Sequence, residues 1–330
     1  MVLSGGNNIS RSAGTGDPQR QRALPSPRST ARPTFADRKM SSCSAGQNGS
    51  TDHAPNLCDG VTMTTDAVFS GSIPSLYDRY LGPVIFEPYA QDLANRLSSL
   101  NAERVLETAA GTGIVTRALV SSLAPNVNIV ATDLNQPMLD HAAKAVSSSR
   151  VSWQKVDAQA LPFPDAAFDA VVCQFGVMFF PDKQQAYREA RRVLKPGGHF
   201  IFNVWDRIEH NEFADLVTAA VADMFADDPP RFLARIPHGY HDQQAVIAEL
   251  RSAGFTDVAV ETLTRRSVAP TFRDPAIGFC QGTPLRNEIE ARDATRLAEA
   301  TEAAASKISA RFGHGPADGM MQAHVFTASY

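Results

Sequence analysis

Arg104-Val105-Leu106-Glu107-Thr108-Ala109-Ala110-Gly111-Thr112-Gly113 joins an apolar run to a helical pattern that extends from Ile114 to Leu123. A strand, a glycine turn and a helix N-terminus in that order form a binding site for the polar end of a ligand. Glycines let the backbone approach closely, and the unpaired N–H groups and dipole of the helix start favour an anion. Asp133 follows 20 positions after Gly113, where a nucleotide-binding βαβ unit carries its ribose-binding carboxylate.

Working outward, the chain alternates strand and helix. Strands are predicted at 104–108, 128–133, 151–156, 168–175 and 198–205, and helices at 114–123, 136–147, 183–194 and 212–226. Such alternation means a parallel sheet covered by helices on both faces. Pro196-Gly197-Gly198 marks a strong turn. Upstream, Leu76, Tyr77, Tyr80, Leu81, Ile85, Phe86, Tyr89, Leu93 and Leu97 recur at helical spacing, and Pro83 and Pro88 are expected to break that stretch into two or three short helices. Downstream, a helix is predicted at 242–253 with Gly254 as its stop, then a strand at 258–263. Helical stretches at 274–292 and 294–311 and a closing strand at 324–328 follow. The two late strands should pair as an antiparallel edge on the parallel sheet.

A chain of 330 residues with 43% hydrophobic content can bury a substantial core. Its net charge is −4; residues 1–62 hold seven basic and four acidic side chains, leaving about −7 for the rest. That balance argues against a nucleic-acid surface. No apolar run reaches the ~20 residues of a membrane span. Cys43, Cys58, Cys173 and Cys280 are widely spaced and read as reduced thiols of a cytoplasmic protein. No motif suggests a metal site. Residues 1–62, rich in Ser, Gly, Pro, Asn and Arg, read as a disordered, dispensable tail. A transit peptide and a translation start at Met63 are the alternatives.

Four motifs in order resemble the class I S-adenosylmethionine-dependent methyltransferases, in the small-molecule branch that includes quinone-biosynthesis C-methyltransferases. They are Glu107 to Gly113; Ala131-Thr132-Asp133-Leu134-Asn135-Gln136-Pro137-Met138-Leu139; Val156-Asp157-Ala158 with Leu161 to Asp169; and Arg191-Arg192-Val193-Leu194-Lys195-Pro196-Gly197-Gly198. The resemblance spans about Leu76 to Ala269. It departs at Ala109, where the family's first glycine stands. Thr116 occupies the place of a dinucleotide fold's third glycine, and a cofactor without pyrophosphate has no need of that glycine.

The resemblance implies a Rossmann-like, doubly wound, mostly parallel seven-stranded α/β sheet with an antiparallel edge strand and a helical cap. It implies a cap segment at 63–100 and a cofactor domain at 101–330 with cap insertions near 207–253 and 274–312. The implied cofactor is S-adenosyl-L-methionine. Its carboxylate would lie at the helix start near Gly113, with Ala109 and Gly111 also in the cofactor site and Glu107 favouring its ammonium or sulfonium charge. Asp133 would take the ribose hydroxyls, Asp157 the adenine amino group and the Ala158 N–H a ring nitrogen. Leu134 and Met138 would flank the adenine, and Gln174 would lie near the reacting centre. Each has a plainer reading: the glycines as a tight turn, Asp133 as an N-cap, Asp157 as a turn cap, and Glu107 as a tie for the turn.

A general base helps only if the acceptor must lose a proton. Tyr77, His210, His238, Tyr240 and His241 are the candidates, against their reading as ordinary loop and core residues. The strand end Cys173-Gln174-Phe175-Gly176 differs from the Asn/Asp-Pro-Pro-aromatic tetrad of amino-group methyltransferases of bases and proteins. Phe213, Met224, Phe225, Phe232 and Phe272 are available for an apolar cavity. The expected activity is methyl transfer to oxygen or carbon of a small, hydrophobic acceptor. A nicotinamide-dependent oxidoreductase and a non-catalytic S-adenosylmethionine-binding protein are the alternatives. The oligomeric state is not legible.

Overall fold

The computed structural model describes residues 65–330. The tail at 1–62, the Met63 start and Cys43 and Cys58 lie outside the described residues. Seven strands form one sheet in the order β3-β2-β1-β4-β5-β7-β6. They are β1 Arg104–Glu107, β2 Asn128–Asp133, β3 Val151–Lys155, β4 Phe168–Gln174, β5 Leu194–Trp205, β6 Asp257–Ala269 and β7 Ala317–Ser329. The first five pair in parallel. β7 runs antiparallel to both β5 and β6, so the last strand of the chain slots in beside the edge strand. The mostly parallel sheet with an antiparallel pair at one edge is the expected architecture.

Both late strands are longer than their apolar patches suggest. Paired register extends from Asp257↔Ser329 to Ala269↔Ala317. Polar and charged residues such as Thr264, Arg265 and Arg266 carry the ribbon outward, because cross-strand hydrogen bonds do not require an apolar side chain.

The first helical stretch is unbroken, against expectation. α1 (Ile73–Leu76) leads into a π-type segment, Tyr77–Phe86, and then α2 (Glu87–Ser98). A wider turn accommodates Pro83: the Glu87 N–H donates to the Gly82 carbonyl five residues back. That spacing relieves the clash a proline ring makes with a normal helical turn. Pro88 follows as the second residue of α2, directly after the π-type segment. Leu93, Ala94 and Leu97 of α2 are buried against the sheet layer.

The remaining helices are α3 Ile114–Ser122, α4 Gln136–Ala145, α5 Lys183–Val193, α6 Glu212–Met224, α7 Phe232–Arg235 and α8 Gln243–Ser252; α4, α5, α6 and α8 pack on the sheet, α3 on α2 and α7 on α6. Asp242 caps α8, accepting from the Gln244 and Ala245 N–H groups at 2.9 and 3.2 Å. The stretch expected as one helix over 274–292 is two, α9 Arg273–Gln281 and α10 Leu285–Asp293. Gly282-Thr283-Pro284 separates them, since Pro284 cannot continue a helix interior but can start one. α11 (Leu297–Phe312) packs on α6 and α9, and α9 packs on the π-type segment. Among the described residues no helix is long and apolar enough to cross a membrane.

Candidate active site

The strand order reverses between β1 and β4, and an open α/β sheet binds its ligand in the crevice beyond the carboxyl ends at that point. A cleft lies there. Ala109, Gly111, Asp133, Leu134, Met138, Asp157, Ala158 and Gln174 line it, together with Asn135, Gln159, Phe175, Gly176 and Phe179. Glu107 and Gly113 stand apart from this lining. Glu107 opens on a small adjoining pocket with Tyr77, Phe86 and Gln174. Gly113, at φ +79°, packs against α4 and β3: a Cβ there would lie 3.0 Å from the Ala142 Cβ and 3.2 Å from the Trp153 ring. Its smallness lets the helix start lie close to the next βα unit.

The glycine turn is held by carboxylates. Asp133, 7% exposed, accepts from the Gly111 N–H at 2.8 Å through one oxygen and from the Asn135 N–H at 2.7 Å through the other. Burial raises its pKa, and those N–H bonds oppose the rise. The Asn135 side-chain amide adds a second bond to the latter oxygen, Oδ1, at 3.3 Å, and Oδ2 keeps a lone pair for a ligand hydroxyl. Glu107 accepts from the Thr116 hydroxyl at 2.6 Å. Burial pushes the Glu107 carboxyl up to about 8, with the Thr116 bond lowering it and the Asp133 charge adding to the rise. Thr116 thus has a positive role where a third glycine is absent. Asp157 forms an Asx turn, accepting from the Gln159 N–H at 2.9 Å. Gln174 donates to the Phe86 carbonyl at 3.3 Å, while its Oε1 is buried without a partner among the described residues. An orphaned acceptor at the cleft wall fits a ligand carrying N–H or O–H donors.

A second cavity opens beside the cleft and shares Phe69, Tyr77, Phe175 and Phe179 with it. Its empty volume is about 660 Å³, open mouth included, within the ~300–1,000 Å³ of small-molecule sites. Leu81, Ile85 and Phe86 of the π-type segment, Trp205, Phe213 of α6, Phe232 of α7 and Phe279 of α9 form its walls. Of the aromatics expected in an apolar cavity, Phe213 and Phe232 are present; Met224, Phe225 and Phe272 pack elsewhere on the core.

Phe175 was not singled out by sequence. It stands at φ +48°, a costly conformation for a bulky residue, between cleft and cavity. Two features hold it: its N–H donates to Asn203 Oδ1 at 2.9 Å, and its ring stacks on Trp205 at 3.7 Å between centroids. The one available signal was its place after Gln174 at a strand's carboxyl end.

The catalytic candidates divide. Tyr77 and His238 line the cavity. Burial, with the Asp133 and Asp78 carboxylates nearby, pushes the Tyr77 phenol well above its ordinary range. His238 is 5% exposed and its Nδ1 lies 2.8 Å from the Asp206 carbonyl. His210 and His241 instead line an open polar depression with Asp206, Gln322 and His324, which shares no lining residue with cleft or cavity. His210 Nδ1 binds the Asp206 carboxylate at 2.7 Å, and His241 Nδ1 binds the His238 carbonyl at 2.8 Å. Tyr240 bonds Tyr187 at 3.1 Å and Glu249 at 2.5 Å, outside the cavity lining.

Residues 106–202 match a methyltransferase-domain family model. The chain is 32% identical over 184 residues to the ubiquinone/menaquinone biosynthesis C-methyltransferase of Ectopseudomonas mendocina, covering 50% of this chain and 70% of that protein. The corresponding enzyme of Burkholderia mallei is 32% identical over 176 residues, covering 50% and 72%. Phosphoethanolamine N-methyltransferase 2 of Haemonchus contortus, solved with S-adenosyl-L-methionine, shares the fold at TM-score 0.50 and 18% identity. That match covers 78% of this chain and 56% of that one. The chain belongs to the class I S-adenosylmethionine-dependent methyltransferases. It is an enzyme of their small-molecule type and its cofactor is S-adenosylmethionine. Neither a nicotinamide-dependent oxidoreductase nor a non-catalytic binder finds support in these comparisons.

Proposed function

We propose that this methyltransferase acts on oxygen or carbon of a small, largely apolar acceptor held in the aromatic cavity. The observation that carries the reading is that the cavity adjoins the cleft, the two sharing Phe69, Tyr77, Phe175 and Phe179 in their walls. When bound, the cofactor supplies an activated methyl on a sulfonium with a neutral leaving group, so alignment of the acceptor is the protein's main task. In this reading Asp133 holds the ribose hydroxyls, Asp157 the adenine amino group and the Ala158 N–H a ring nitrogen, with Leu134 and Met138 against the ring. Glu107 and Gln174 serve the ammonium end, and the Ala109–Gly113 turn takes the carboxylate.

The helical cap, 63–100 with the insertions near 207–253 and 274–312, excludes water from the acceptor. Support comes from the cavity walls contributed by the π-type segment, α6, α7 and α9. A ring of the kind named for the curated relatives falls within the acceptor class. Cytoplasmic location is part of the same reading, in keeping with the buried free thiols of Cys173 and Cys280.

The test is formation of S-adenosylhomocysteine from a panel of phenols, quinols and quinolones, set against phosphoethanolamine and other charged amines. The apolar acceptors are expected to have kcat/KM higher by about 100-fold, the scale of a buried apolar contact set. Turnover confined to the charged acceptors would overturn the proposal.

A further inference from the structure

The cavity wall contains six polar side chains, and three of them are already paired. Asn211 donates to the Asp206, Arg207 and Gln322 carbonyls and accepts from the Gln322 N–H. Ser267 donates to the Val84 carbonyl, and Thr283 to the Phe279 carbonyl. Tyr77, Trp205 and His238 are the lining side chains with a polar atom that makes no hydrogen bond among the described residues. Trp205 can only donate, and the Tyr77 phenol resists ionisation. His238 is therefore the one base in the wall among the described residues.

Its tautomer is fixed by its neighbour. A backbone carbonyl can only accept, so at 2.8 Å from the Asp206 oxygen Nδ1 must carry the proton, and Nε2 presents a lone pair. The carbonyl is itself immobilised. The Asp206 carboxylate accepts from Gln322 at 2.6 Å and from the Arg207 N–H at 2.7 Å, with His210 at 2.7 Å and His324 at 3.1 Å. Burial opposes its ionisation, yet these bonds hold the carboxyl well below the usual range. Asp206 is thus a positioning residue for the imidazole.

We propose that His238 Nε2 receives the proton of an acceptor hydroxyl, so that the acceptor is a phenol or enol. This rests on the acceptor occupying the aromatic cavity. As the O–H bond breaks, its proton passes to Nε2. The electron pair left on oxygen, or on a conjugated carbon, forms the bond to the methyl carbon, while the pair of the broken sulfur–carbon bond stays on sulfur. On oxygen, the imidazolium then loses its proton to water. On carbon, the ring proton at that atom leaves to water and His238 returns its own to the oxygen. Positive charge moves from sulfonium to imidazolium and none is created, which lets an apolar cavity host the step.

Burial pushes the His238 imidazole down to about 4; the Asp206 and Glu209 charges oppose that shift and His241 adds to it. Nε2 is consequently free at neutral pH. Charge develops on it only opposite an acceptor oxygenate, whose proximity favours the protonated form.

The test compares wild type with His238→Asn and His238→Ala, using hydroxyl acceptors graded in acidity. Calorimetry with S-adenosylhomocysteine controls for folding and should agree within twofold. With a weakly acidic phenol both variants should lose about 100-fold or more in kcat, the usual contribution of a positioned base. With a nitrophenol already ionised at the assay pH the loss should shrink below tenfold. Histidine ¹⁵N NMR should show the Nδ1–H neutral tautomer at pH 7, with the Nε2 resonance moving on phenol binding. Equal losses across the acidity series, or an Nε2 resonance indifferent to the phenol, would overturn the base. Wild-type turnover of apolar acceptors lacking a hydroxyl would defeat this inference and leave the cavity reading standing, whereas preference for charged acceptors would defeat the cavity reading itself.

Discussion

The methyl of Ala109 faces Gly176 so closely that a Cβ on Gly176 would lie 2.5 Å from it. Ala109 is at φ +53°, a left-handed conformation that glycine adopts freely and alanine at a cost. The letter that departs from the family motif has therefore been matched by a glycine 67 positions away (176 − 109), on the loop after β4.

Substitution of that pair should be strongly coupled. Gly176→Ala would also meet Cys173 Sγ at 2.8 Å, and should cost about 1–3 kcal/mol through overpacking. Ala109→Gly should be neutral or stabilising by up to about 1 kcal/mol, relief of strain outweighing unfolded-state entropy. The double variant should recover about 1 kcal/mol of the Gly176→Ala loss. Urea denaturation of the four proteins measures the cycle, and strict additivity would refute the contact.

Asp133→Ala should weaken S-adenosylhomocysteine binding by about 1–3 kcal/mol, leaving ligand hydroxyls unpaired. It should also lower stability, because the Gly111 N–H loses its acceptor. Calorimetry and thermal unfolding read the two effects separately. Unchanged affinity in a folded variant would exclude a ribose contact.

Glu107 predicts a pH dependence of the cofactor-free protein. Its folded pKa of about 8 lies above the ordinary 4.5, so the folded state binds the proton more tightly. The stability it contributes is complete below about pH 4.5 and is lost as pH rises toward 8, by up to about 1.4 kcal/mol per unit. Glu107→Gln stays neutral and should lack that slope. Urea midpoints at pH 5.5, 6.5 and 7.5 compare them; parallel slopes would contradict the prediction.

Asp78 joins the π-type segment to the glycine turn and the start of α3. It accepts from Arg117 at 3.0 Å and Thr112 at 3.1 Å, with His141 at 3.2 Å. Asp78→Ala should speed S-adenosylhomocysteine dissociation about fivefold, on the order of 1 kcal/mol for a partly exposed charged cluster. Stopped-flow dissociation measures it. An unaltered rate would mean that the segment does not hold the cofactor in place.

Much of the fold was legible because it is written locally. Residues 104–108 and 168–175 are of strand length and centre on the apolar Val105-Leu106 and Ala170-Val171-Val172-Cys173, and 114–123 and 183–194 carry helical periodicity, so the alternation that dictates a parallel sheet needs no distant information. The glycine turn, Asp133 and Asp157-Ala158 were readable for the same reason: each sits where a strand ends. Pro83 misled because a wider helical turn absorbs a proline when its surroundings are packed. Gly282-Thr283-Pro284 lies inside an otherwise helical pattern, so periodicity alone hides the break between α9 and α10. His210, His238 and His241 could not be told apart by sequence, since they differ in what faces them across the fold.

The amino-acid sequence by itself determined the class of fold and the cofactor, because strand ends and turns are set by neighbouring residues. Tertiary structure alone decided the aromatic cavity. It also decided the stacking of Phe175 on Trp205, the separation of His238 from His210 and His241, and the match of Ala109 to Gly176. These are relations between segments far apart in the chain, and packing, not local preference, fixes which side chains meet.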